Sequence, residues 1–445
     1  MNITIIGAGY VGLSTAACLA QLGHSVTCVD NVPSKIEGLR EGQSPIFEPF
    51  LEQLLADNVD RMSYRTDYES VTESDVVFLA VGTPSLANGS PDLQYLRAAA
   101  TQTGEKLGPH FTVIVNKSTV PVGSGHLVDA IVRDTAPHSQ FCVASNPEFL
   151  REGSALHDSL YADRIVVGTD HSQGLEMLYR LYRPILDQSF AAPEYLPRPE
   201  ELTAVPLVAA DLTTAELIKY AANSFLATKI SFINEVNRLA ARVGADIQQV
   251  ARGIGLDERI GARFLNPGIG WGGSCFGKDT SALLASAAEY GLSMPIVHAA
   301  RETNYRQREL VVDQLMSALK VLKGRTVGIL GVAFKPNTDD IRDAPFFDVA
   351  RRLLERGARV RAHDPVALAN ARQHPDTEGV TWCDSIETTA SGTDALILLT
   401  EWDEYRQVDW EALRNSVRNP LVLDARFSLD SEKLKAAGWQ YLTVA

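Results

Sequence analysis

Short apolar runs alternate along the chain with longer segments in which apolar residues recur at helical spacing. The first run, NITII at 2–6, leads into GAGYVG at 7–12, then into a helical segment and a second run that ends at Asp30. Comparable runs, each ending in small or polar residues, follow at 74–84, 112–121 and 140–150. Strands that alternate with helices predict a parallel sheet with helices on both faces.

The last third of the chain repeats this pattern with a looser glycine turn. Its predicted strands lie within 324–345, 358–365, 394–406 and 419–427. Between the two α/β parts, about thirty residues from Thr213 to Val243 contain no Gly or Pro and carry apolar residues at helical spacing. The pattern predicts an α/β fold with two Rossmann-like doubly wound domains joined by a long central helix.

We place the domain boundaries by this organisation. The predicted domains are an N-terminal dinucleotide-binding domain (1–200), a central helical domain (201–305) and a C-terminal Rossmann-like domain (306–445). Lys219 and Asn223 are four residues apart on the central helix, so they project from one face. A solvated polar stripe is the simpler interpretation, but the neighbouring aromatic residues favour partial enclosure.

Composition narrows the class of protein. The 445 residues carry a net charge of −14 and are 45% hydrophobic, which argues against nucleic acid as the main partner. The longest apolar runs are shorter than a membrane span, and the chain opens on an apolar strand rather than on a secretory signal. Five cysteines without disulfide or metal-ligand spacing indicate a reducing compartment. We therefore expect a cytoplasmic protein without a metal site.

The turn GAGYVG has the spacing of a dinucleotide site. Gly7 permits the tight turn, Gly9 lets the backbone approach a pyrophosphate, and Gly12 lets the helix pack on the strand. Tyr10 and Val11 belong to the same turn, and the N-terminus of the helix that follows favours phosphate. Asp30 can accept hydrogen bonds from a ribose diol and would repel the extra phosphate of NADP, which favours NAD as cofactor. The alternative is a βαβ turn with a purely structural role.

Polar residues follow the next strands. Because ligands bind at the carboxyl ends of strands in doubly wound sheets, candidate site residues are Thr83, Thr119, Glu148 and Glu152. In the last third, basic residues at strand ends could bind phosphates, namely Lys335, Arg342 and Arg426. The alternative for each loop is ordinary turn chemistry.

The segment GWGGSCFGKD at 270–279 combines a cysteine with four glycines and two opposite charges. The glycines, Gly272 among them, permit close approach of the backbone to a ligand. Lys278 could favour the thiolate of Cys275, and Asp279 could hold the lysine or position a water. The alternative is a buried structural cysteine.

With these blocks placed, the chain resembles the UDP-glucose/GDP-mannose dehydrogenase family. The resemblance rests on GAGYVGL, VGTP, KSTVPVG, NPEFLREG, the KYAANSFLATKISFINE helix, RIGARFLNPGIGWGGSCFGKD and GVAFKPNTDDIRDAP, which span nearly the whole chain. It implies an NAD domain, a homodimer built by the central helix and a C-terminal domain that binds UDP. It also implies a four-electron oxidation of UDP-glucose to UDP-glucuronate through a thiohemiacetal and a thioester on Cys275.

The resemblance also implies residue roles. Lys219 and Asn223 would stabilise the developing oxyanion. Water would be positioned or activated by Asp279, Glu148 and Thr119. Expected NAD contacts, besides the 7–12 turn and Asp30, are Lys35, Thr83, Thr119, Glu152, Lys278 and Arg342. Expected substrate contacts, besides Lys219 and Asn223, are Glu148, Phe149, Leu150, Glu152, Arg263, Phe264, Gly272, Lys335, Arg426 and, from the partner subunit of the dimer, Arg259. Gly277 departs from the family pattern, which often has proline there.

Three other functions remain open on the residues alone. A sister enzyme oxidising GDP-mannose or a UDP-N-acetylhexosamine would use the same cysteine chemistry. A single-step hydroxyacid dehydrogenase would need neither Cys275 nor a third domain. A non-catalytic nucleotide-sugar-binding protein is expected to lack Cys275, Lys219 or Asp279, and all three are present.

Overall fold

The fold is described from a computed structural model, which describes residues 1–86 and 89–445. The chain forms two compact units. The first unit comprises Met1–Ala222 with Ser281–Tyr290, and the second comprises Asn223–Thr280 with Gly291–Ala445. The predicted three-domain division remains a prediction.

The first unit is built on an eight-stranded sheet. Its strands are β1 (Asn2–Ile6), β2 (Ser25–Val29), β3 (Met62–Arg65), β4 (Val76–Leu79), β5 (Thr112–Asn116), β6 (Phe141–Ser145), β7 (Ile165–Gly168) and β8 (Leu207–Ala210). The spatial order is β3-β2-β1-β4-β5-β6-β7-β8, and the neighbouring strands are parallel except for β6 and β7. The order reverses between β1 and β4, where a doubly wound sheet opens its ligand crevice.

Among the described residues, seven helices belong to the first unit alone. They are α1 (Tyr10–Gln21), α2 (Pro33–Arg40), α3 (Leu51–Asp57), α4 (Gln94–Glu105), α5 (Ser124–Thr135), α6 (Ala155–Leu160) and α7 (Ser172–Leu186). Short 3₁₀ turns lie at Val59–Arg61 and Glu69–Glu73. Apolar clusters cover both faces of the sheet, since Ile3 and Ile5 of β1 pack into one cluster and Ile6 packs into the other. The near-continuous apolar runs of β4 and β5 are typical of parallel strands buried on both faces.

Four longer or intervening helices follow in the middle of the chain, namely α8 (Leu212–Val243), α9 (Ile247–Gly255), α10 (Phe276–Glu289) and α11 (Pro295–Leu319). The long helix predicted from the absence of Gly and Pro is confirmed, because α8 has 32 residues. Asp211 caps its start, with Oδ1 accepting from the Thr214 backbone N–H at 2.7 Å. Gly244, at φ +74°, follows its end and permits the left-handed turn that stops a helix.

The second unit contains a six-stranded, wholly parallel sheet. Its strands are β9 (Thr326–Leu330), β10 (Arg359–His363), β11 (Val380–Trp382), β12 (Ala395–Leu398), β13 (Leu421–Asp424) and β14 (Gln440–Thr443), in the spatial order β11-β10-β9-β12-β13-β14. The predicted second Rossmann-like sheet is therefore confirmed.

Six short helices surround this second sheet, namely α12 (Pro345–Glu355), α13 (Leu368–Ala371), α14 (Ile386–Ala390), α15 (Asp403–Arg406), α16 (Trp410–Arg414) and α17 (Ser431–Ala436). A 3₁₀ turn lies at Pro375–Thr377. Apolar clusters again cover both faces, with Val327 and Ile329 on one side and Leu330 on the other. Within the described ranges, none of the helices has the length and apolar character needed to cross a membrane.

In both sheets an acidic side chain closes the first strand-to-helix turn by accepting hydrogen bonds from the backbone of that turn. In the first unit, Asp30 Oδ2 accepts from the Ala8 backbone N–H at 2.9 Å. In the second unit, Asp364 Oδ2 accepts from the Val332 backbone N–H at 2.7 Å and from that of Ala333 at 2.9 Å. In each case an acid just beyond the second strand ties down the turn that follows the first strand.

Candidate active site

The glycine turn after β1 is shaped by contacts within the protein and by open space. A Cβ on Gly12 would lie 1.9 Å from the Gly7 carbonyl oxygen, so only glycine lets α1 approach the turn this closely. A Cβ on Gly9 would meet no atom within 4 Å. Gly9 is also the N-cap of α1 and offers no side-chain cap, and the N-terminus of a helix favours an anion. The turn therefore fits the pyrophosphate of a dinucleotide.

Asp30 stands directly beyond β2, beside this turn. Its Oδ1 accepts from the Val32 backbone N–H at 3.0 Å, and Lys35 Nζ lies 3.5 Å from Oδ2. The structure thus brings two of the expected NAD contacts together. Contact of either residue with a ribose remains a prediction.

The loops after β4 and β5 meet through two expected site residues. The Thr83 hydroxyl donates to the Thr119 carbonyl oxygen at 2.9 Å. The preceding residue, Ser118, donates to the Val81 carbonyl oxygen at 2.6 Å and to that of Leu79 at 3.2 Å. These bonds explain why small hydroxyl residues follow both strands, and they place Thr83 and Thr119 at the same sheet edge.

A buried ion pair joins Glu148, in the loop after β6, to Lys219 of α8. Lys219 Nζ lies 2.8 Å from Glu148 Oε1 and donates to the Glu148 carbonyl oxygen at 2.6 Å. The side chains are only 4% and 5% exposed. The other carboxylate oxygen accepts from the Leu150 backbone N–H at 2.8 Å. A carboxylate and an ammonium are thereby fixed with little freedom, as preorganised catalytic groups require.

Aromatic and acidic residues of the same loop complete this region. Lys219 Nζ lies 5.3 Å above the Phe149 ring, and the Arg164 guanidinium stacks on that ring at 3.7 Å. Glu152 is buried at 9% exposure. The first unit therefore places Glu148 and Phe149 next to Lys219, as the resemblance implies, and contact of Glu152 with a ligand remains a prediction.

Two charged residues of this region were missed by the sequence analysis. Glu216 lies three residues before Lys219 on α8, and it accepts from the backbone N–H groups of Gly123 at 2.6 Å and Gly125 at 2.7 Å. Burial raises the pKa of Glu216. The sequence signal for Glu216 is its position one helical turn before the candidate Lys219. Its partner, the start of α5, is far away in the sequence and could not be predicted.

Lys117 of the KSTVPVG motif is the second missed residue. It lines a cavity of about 60 Å³, together with Cys18, Tyr182 and Glu148. Its Nζ donates to Asn146 Oδ1 at 2.9 Å. Burial lowers the pKa of Lys117 from 10.5 to about 8, against the opposing effect of the Glu148 carboxylate. Lys117 is visible in the KSTVPVG motif, but only the packing of the folded chain reveals that it faces inwards.

Cys275 differs from the other four cysteines. It directly precedes α10, and its carbonyl oxygen accepts the Asp279 backbone N–H at 2.8 Å, so its thiol lies at the start of a 14-residue helix. It is partly exposed, whereas the other cysteines are buried. Burial raises the pKa values of three of them to about 12, namely Cys18, Cys28 and Cys142. The helix dipole and the partial exposure favour Cys275 as the nucleophile.

Asp279 is fully buried and has two partners. Asn223 Nδ2 donates to Oδ2 at 2.6 Å, and Lys278 Nζ donates to Oδ1 at 2.7 Å. The sequence suggested that this acid could hold the lysine, and the ion pair confirms that arrangement. The second unit thus groups Asn223 of α8 with Lys278 and Asp279, which lie in the first turn of α10 after Cys275.

The glycines around Cys275 have a different role from the one expected. A Cβ on Gly272 would lie 2.5 Å from the Asp343 carbonyl oxygen, and a Cβ on Gly273 would lie 2.7 Å from the Phe334 ring. We expected these glycines to leave room for a ligand. In the structure the chain's own segment 334–345 occupies that room, so the glycines permit close packing of two loops. Contact of Gly272 with substrate remains a prediction.

The remaining basic candidates of the second unit have protein partners. Arg426 donates to the carbonyl oxygens of Leu399 at 2.6 Å and Phe334 at 2.8 Å, which gives its guanidinium a structural role. Arg342 forms an ion pair with Asp340 at 2.7 Å. Two further candidates, Phe264 and Arg259, lie on loops. Phe264 adopts φ +65°, and the Arg259 side chain is 88% exposed. Ligand contacts of these residues, and of Arg263 and Lys335, remain predictions.

Three family models match the chain in order. They are the NAD binding domain of the UDP-glucose/GDP-mannose dehydrogenase family at residues 1–186, its central domain at 213–306 and its UDP binding domain at 328–431. Together they cover most of the 445 residues.

Characterised relatives extend over the full length. The chain is 44% identical over 452 residues to UDP-glucose 6-dehydrogenase of Rhizobium meliloti (strain 1021), covering 100% of this chain and 99% of the relative. It is 42% identical over 447 residues to UDP-glucose 6-dehydrogenase TuaD of Bacillus subtilis (strain 168), covering 100% and 93%. The solved structure of a UDP-glucose dehydrogenase from the hyperthermophilic archaeon Pyrobaculum islandicum matches with a TM-score of 0.89 at 39% identity, covering 100% of this chain and 97% of that chain.

Proposed function

Because the chain belongs to the UDP-glucose/GDP-mannose dehydrogenase family, we propose that it oxidises UDP-glucose to UDP-glucuronate in two NAD-dependent steps. The observation that carries the proposal is the position of Cys275. It is the one cysteine that is partly exposed, and it lies at a helix start beside a buried carboxylate. A single oxidation of an alcohol needs no thiol, whereas oxidation to a carboxylate needs a nucleophile that adds to the aldehyde.

NAD is the cofactor, since residues 1–186 match the family's NAD binding domain. The turn at Gly9 and the N-terminus of α1 would hold its pyrophosphate, and Asp30 would hold its adenosine ribose. When bound, NAD accepts the hydride of each oxidation step. The chain's own residues bind the sugar, hold protons and capture the aldehyde.

The first step removes a hydride from C6 and a proton from its hydroxyl. Lys219 is placed by Glu148 as a fixed ammonium in a buried site, where it can stabilise negative charge on the sugar oxygen. The Glu148 carboxylate, held at both oxygens, can accept the proton directly or through a water that Thr119 positions. The product of this step is an aldehyde.

The second step uses the thiol. The Sγ of Cys275 forms a bond to the aldehyde carbon, and the carbonyl oxygen takes a proton, which gives a thiohemiacetal. Loss of a second hydride from the carbon, together with the proton of the hydroxyl group, turns this adduct into a thioester. Water then adds to the thioester carbon, and the C–S bond breaks to release the carboxylate and the thiol. Asp279, fixed by Asn223 and Lys278, is the base that we assign to this water.

The second unit is proposed to hold the UDP moiety, because residues 328–431 match the family's UDP binding domain. Lys335 and Arg426 lie at the carboxyl ends of its strands β9 and β13, where a nucleotide diphosphate would be bound. The choice of uracil and glucose over other bases and sugars is part of the proposal. A sister enzyme for GDP-mannose or a UDP-N-acetylhexosamine is the alternative that the experiment below separates.

We also propose that two copies pair through α8. Large apolar side chains at seven-residue spacing are exposed on this helix, namely Phe225 at 66%, Phe232 at 53% and Leu239 at 63%. A seven-residue apolar repeat forms a seam that favours packing against another helix. Phe232→Asp should shift the protein from dimer to monomer in analytical ultracentrifugation, whereas a Tyr290→Asp control, on an exposed tyrosine outside α8, should stay dimeric.

A reducing, cytoplasmic location is the last part of the proposal. Within the described residues none of the five cysteines forms a disulfide, and a reactive thiol such as that of Cys275 needs protection from oxidation.

The test is the number of NADH molecules formed per UDP-glucose consumed, with NAD in excess and the reaction run to completion. We expect two NADH per sugar and UDP-glucuronate as product. Cys275→Ala is the matched variant, because it keeps the first step and lacks the thiol. One NADH per sugar in the wild type would refute the thioester route. Turnover of GDP-mannose or a UDP-N-acetylhexosamine in place of UDP-glucose would change the substrate and keep the chemistry.

A further inference from the structure

One face of α11 holds the loop that carries Cys275. Asn304 binds the backbone of Trp271 twice, since Oδ1 accepts from its N–H at 2.7 Å and Nδ2 donates to its carbonyl oxygen at 2.9 Å. Gln307 Nε2 donates to the Gly268 carbonyl oxygen at 2.8 Å. The loop has no regular secondary structure of its own, so these side chains replace the hydrogen bonds that a strand or helix would supply.

Arg308, the next residue of α11, connects this loop to a second segment. Its Nη2 donates to the carbonyl oxygens of Trp271 at 3.3 Å and Asp343 at 3.2 Å. Its Nη1 donates to Asp343 Oδ1 at 2.8 Å and to Asp348 Oδ2 at 2.6 Å. The Arg308 side chain is only 3% exposed. A planar guanidinium is suited to this task, because its donors reach several acceptors at once in a fixed geometry.

The segment 334–345 covers the other side of the Cys275 loop. The Gly273 backbone N–H donates to the Arg342 carbonyl oxygen at 3.0 Å. The close approaches of Gly272 to Asp343 and of Gly273 to Phe334 leave no space for a side chain. The loop is therefore enclosed between α11 and the segment 334–345, and Arg308 is bonded to both layers.

We propose that Arg308 is a positioning residue, which keeps the Cys275 loop in register with the segment 334–345. The inference rests on the function proposed above. The segment also contains Lys335 and Arg342, which are expected to contact the substrate and the cofactor. By bonding the loop and the segment together, Arg308 fixes the nucleophile relative to the groups that hold the ligand.

The expected effect is selective for the second half of the reaction. The first hydride transfer does not use Sγ, whereas formation of the C–S bond requires Sγ at the aldehyde carbon. A displacement of about 1 Å can slow such a step by about 100-fold. A loosened loop therefore lets the aldehyde leave before it is captured.

The test uses variants of two ion pairs, both of which join α11 to α12. Arg308→Lys keeps the charge but replaces the fork of donors by one ammonium, which cannot serve two aspartates and two carbonyls in the same geometry. The matched control is Arg352→Lys, because the Arg352–Glu309 pair also joins α12 to α11 at 2.7 Å but is more exposed. Asp348→Asn is a milder second variant, which keeps an acceptor oxygen and covers the case in which Arg308→Lys does not fold.

Two measurements decide the proposal. Hydrogen–deuterium exchange of peptides covering 266–277, without ligands, should become at least tenfold faster in Arg308→Lys and change little in Arg352→Lys. With hydroxylamine present to trap free aldehyde, the NADH formed per UDP-glucose consumed should fall from two towards one in Arg308→Lys and stay at two in the control. Asp348→Asn should change both quantities in the same direction by a smaller factor.

Every other outcome contradicts the anchoring of the loop, the positioning role of Arg308 or the proposed function. Unchanged loop exchange in Arg308→Lys overturns the anchoring. Faster exchange with two NADH per sugar overturns the positioning role, since the loop would then move without loss of capture. A wild type that forms no NADH refutes the proposed function, and the exchange measurement then decides the anchoring by itself.

Discussion

Gly9 and Gly12 of the dinucleotide turn should respond to alanine in opposite ways. Gly9 adopts φ −92° and ψ −170°, which any residue can adopt, and its missing Cβ faces open space. Gly9→Ala should therefore leave the unfolding free energy of the ligand-free protein unchanged or raise it by about 0.4–1 kcal/mol. The methyl group would, however, occupy the surface that the pyrophosphate approaches. Overfilling such a contact costs about 1–3 kcal/mol, which weakens NAD binding by about 5- to 150-fold.

Gly12→Ala should lower both the stability of the fold and the affinity for NAD, for a different reason. Its Cβ would lie 1.9 Å from the Gly7 carbonyl oxygen, so α1 must move away from β1 even when no ligand is present. We expect the unfolding free energy to fall by about 1–3 kcal/mol. NAD binding should weaken as well, because the first turn of α1 is displaced together with its N–H groups.

Urea unfolding without ligand and calorimetric titration with NAD measure the two effects separately. Gly253→Ala is the control, since its Cβ would also meet no atom within 4 Å but lies in α9. The control should bind NAD as the wild type does. Wild-type NAD affinity in Gly9→Ala would refute the placement of the pyrophosphate at this turn. A loss of stability in Gly9→Ala equal to that in Gly12→Ala would refute the reasoning from open space.

Three further predictions concern charged and reactive groups. Lys117 has a pKa of about 8 in the folded chain and 10.5 when unfolded, so the unfolded chain binds more protons between these values. The unfolding free energy of the wild type, relative to Lys117→Met, should therefore rise by about 2 kcal/mol from pH 7.5 to 9.5, as measured by urea unfolding. Lys219→Met leaves the Glu148 carboxylate buried without its partner, so the unfolding free energy should fall by about 3–5 kcal/mol. Adding Glu148→Gln should recover part of this loss. Strict additivity of the two changes would contradict the coupling between the two side chains. Iodoacetamide at neutral pH should modify Cys275 before Cys18, whose thiol is buried and has a pKa raised to about 12; equal labelling in peptide mass mapping would contradict the burial argument.

Local patterns predicted the elements that short-range chemistry determines. The apolar runs located β1 and β2, and the absence of Gly and Pro located α8 almost to the residue. The cysteine between glycines was identified because its neighbours in the sequence are also its neighbours in space. These features depend on residues within one or two turns of each other.

Contacts between distant segments could not be predicted in the same way. Glu216 binds Gly123 and Gly125, which lie 93 and 91 residues away in the sequence. Arg308 binds Asp343 at a separation of 35 residues. Nothing in either sequence neighbourhood distinguishes these charges from solvated ones, because their partners are brought near only when helices pack. The antiparallel pairing of β6 with β7 is likewise set by tertiary packing.

The shared turn bond of the two sheets has a consequence for how a dinucleotide site is recognised from a sequence. Asp30 and Asp364 make equivalent bonds to the backbone after the first strand, although only the first unit has the glycine spacing of a dinucleotide site. The acid holds a turn of this shape in both units, whether or not the dinucleotide glycine spacing is present. A sequence search that scores the acid as a mark of NAD binding would therefore count both units. The glycine spacing, which the second unit lacks, is the more specific sign of a dinucleotide site.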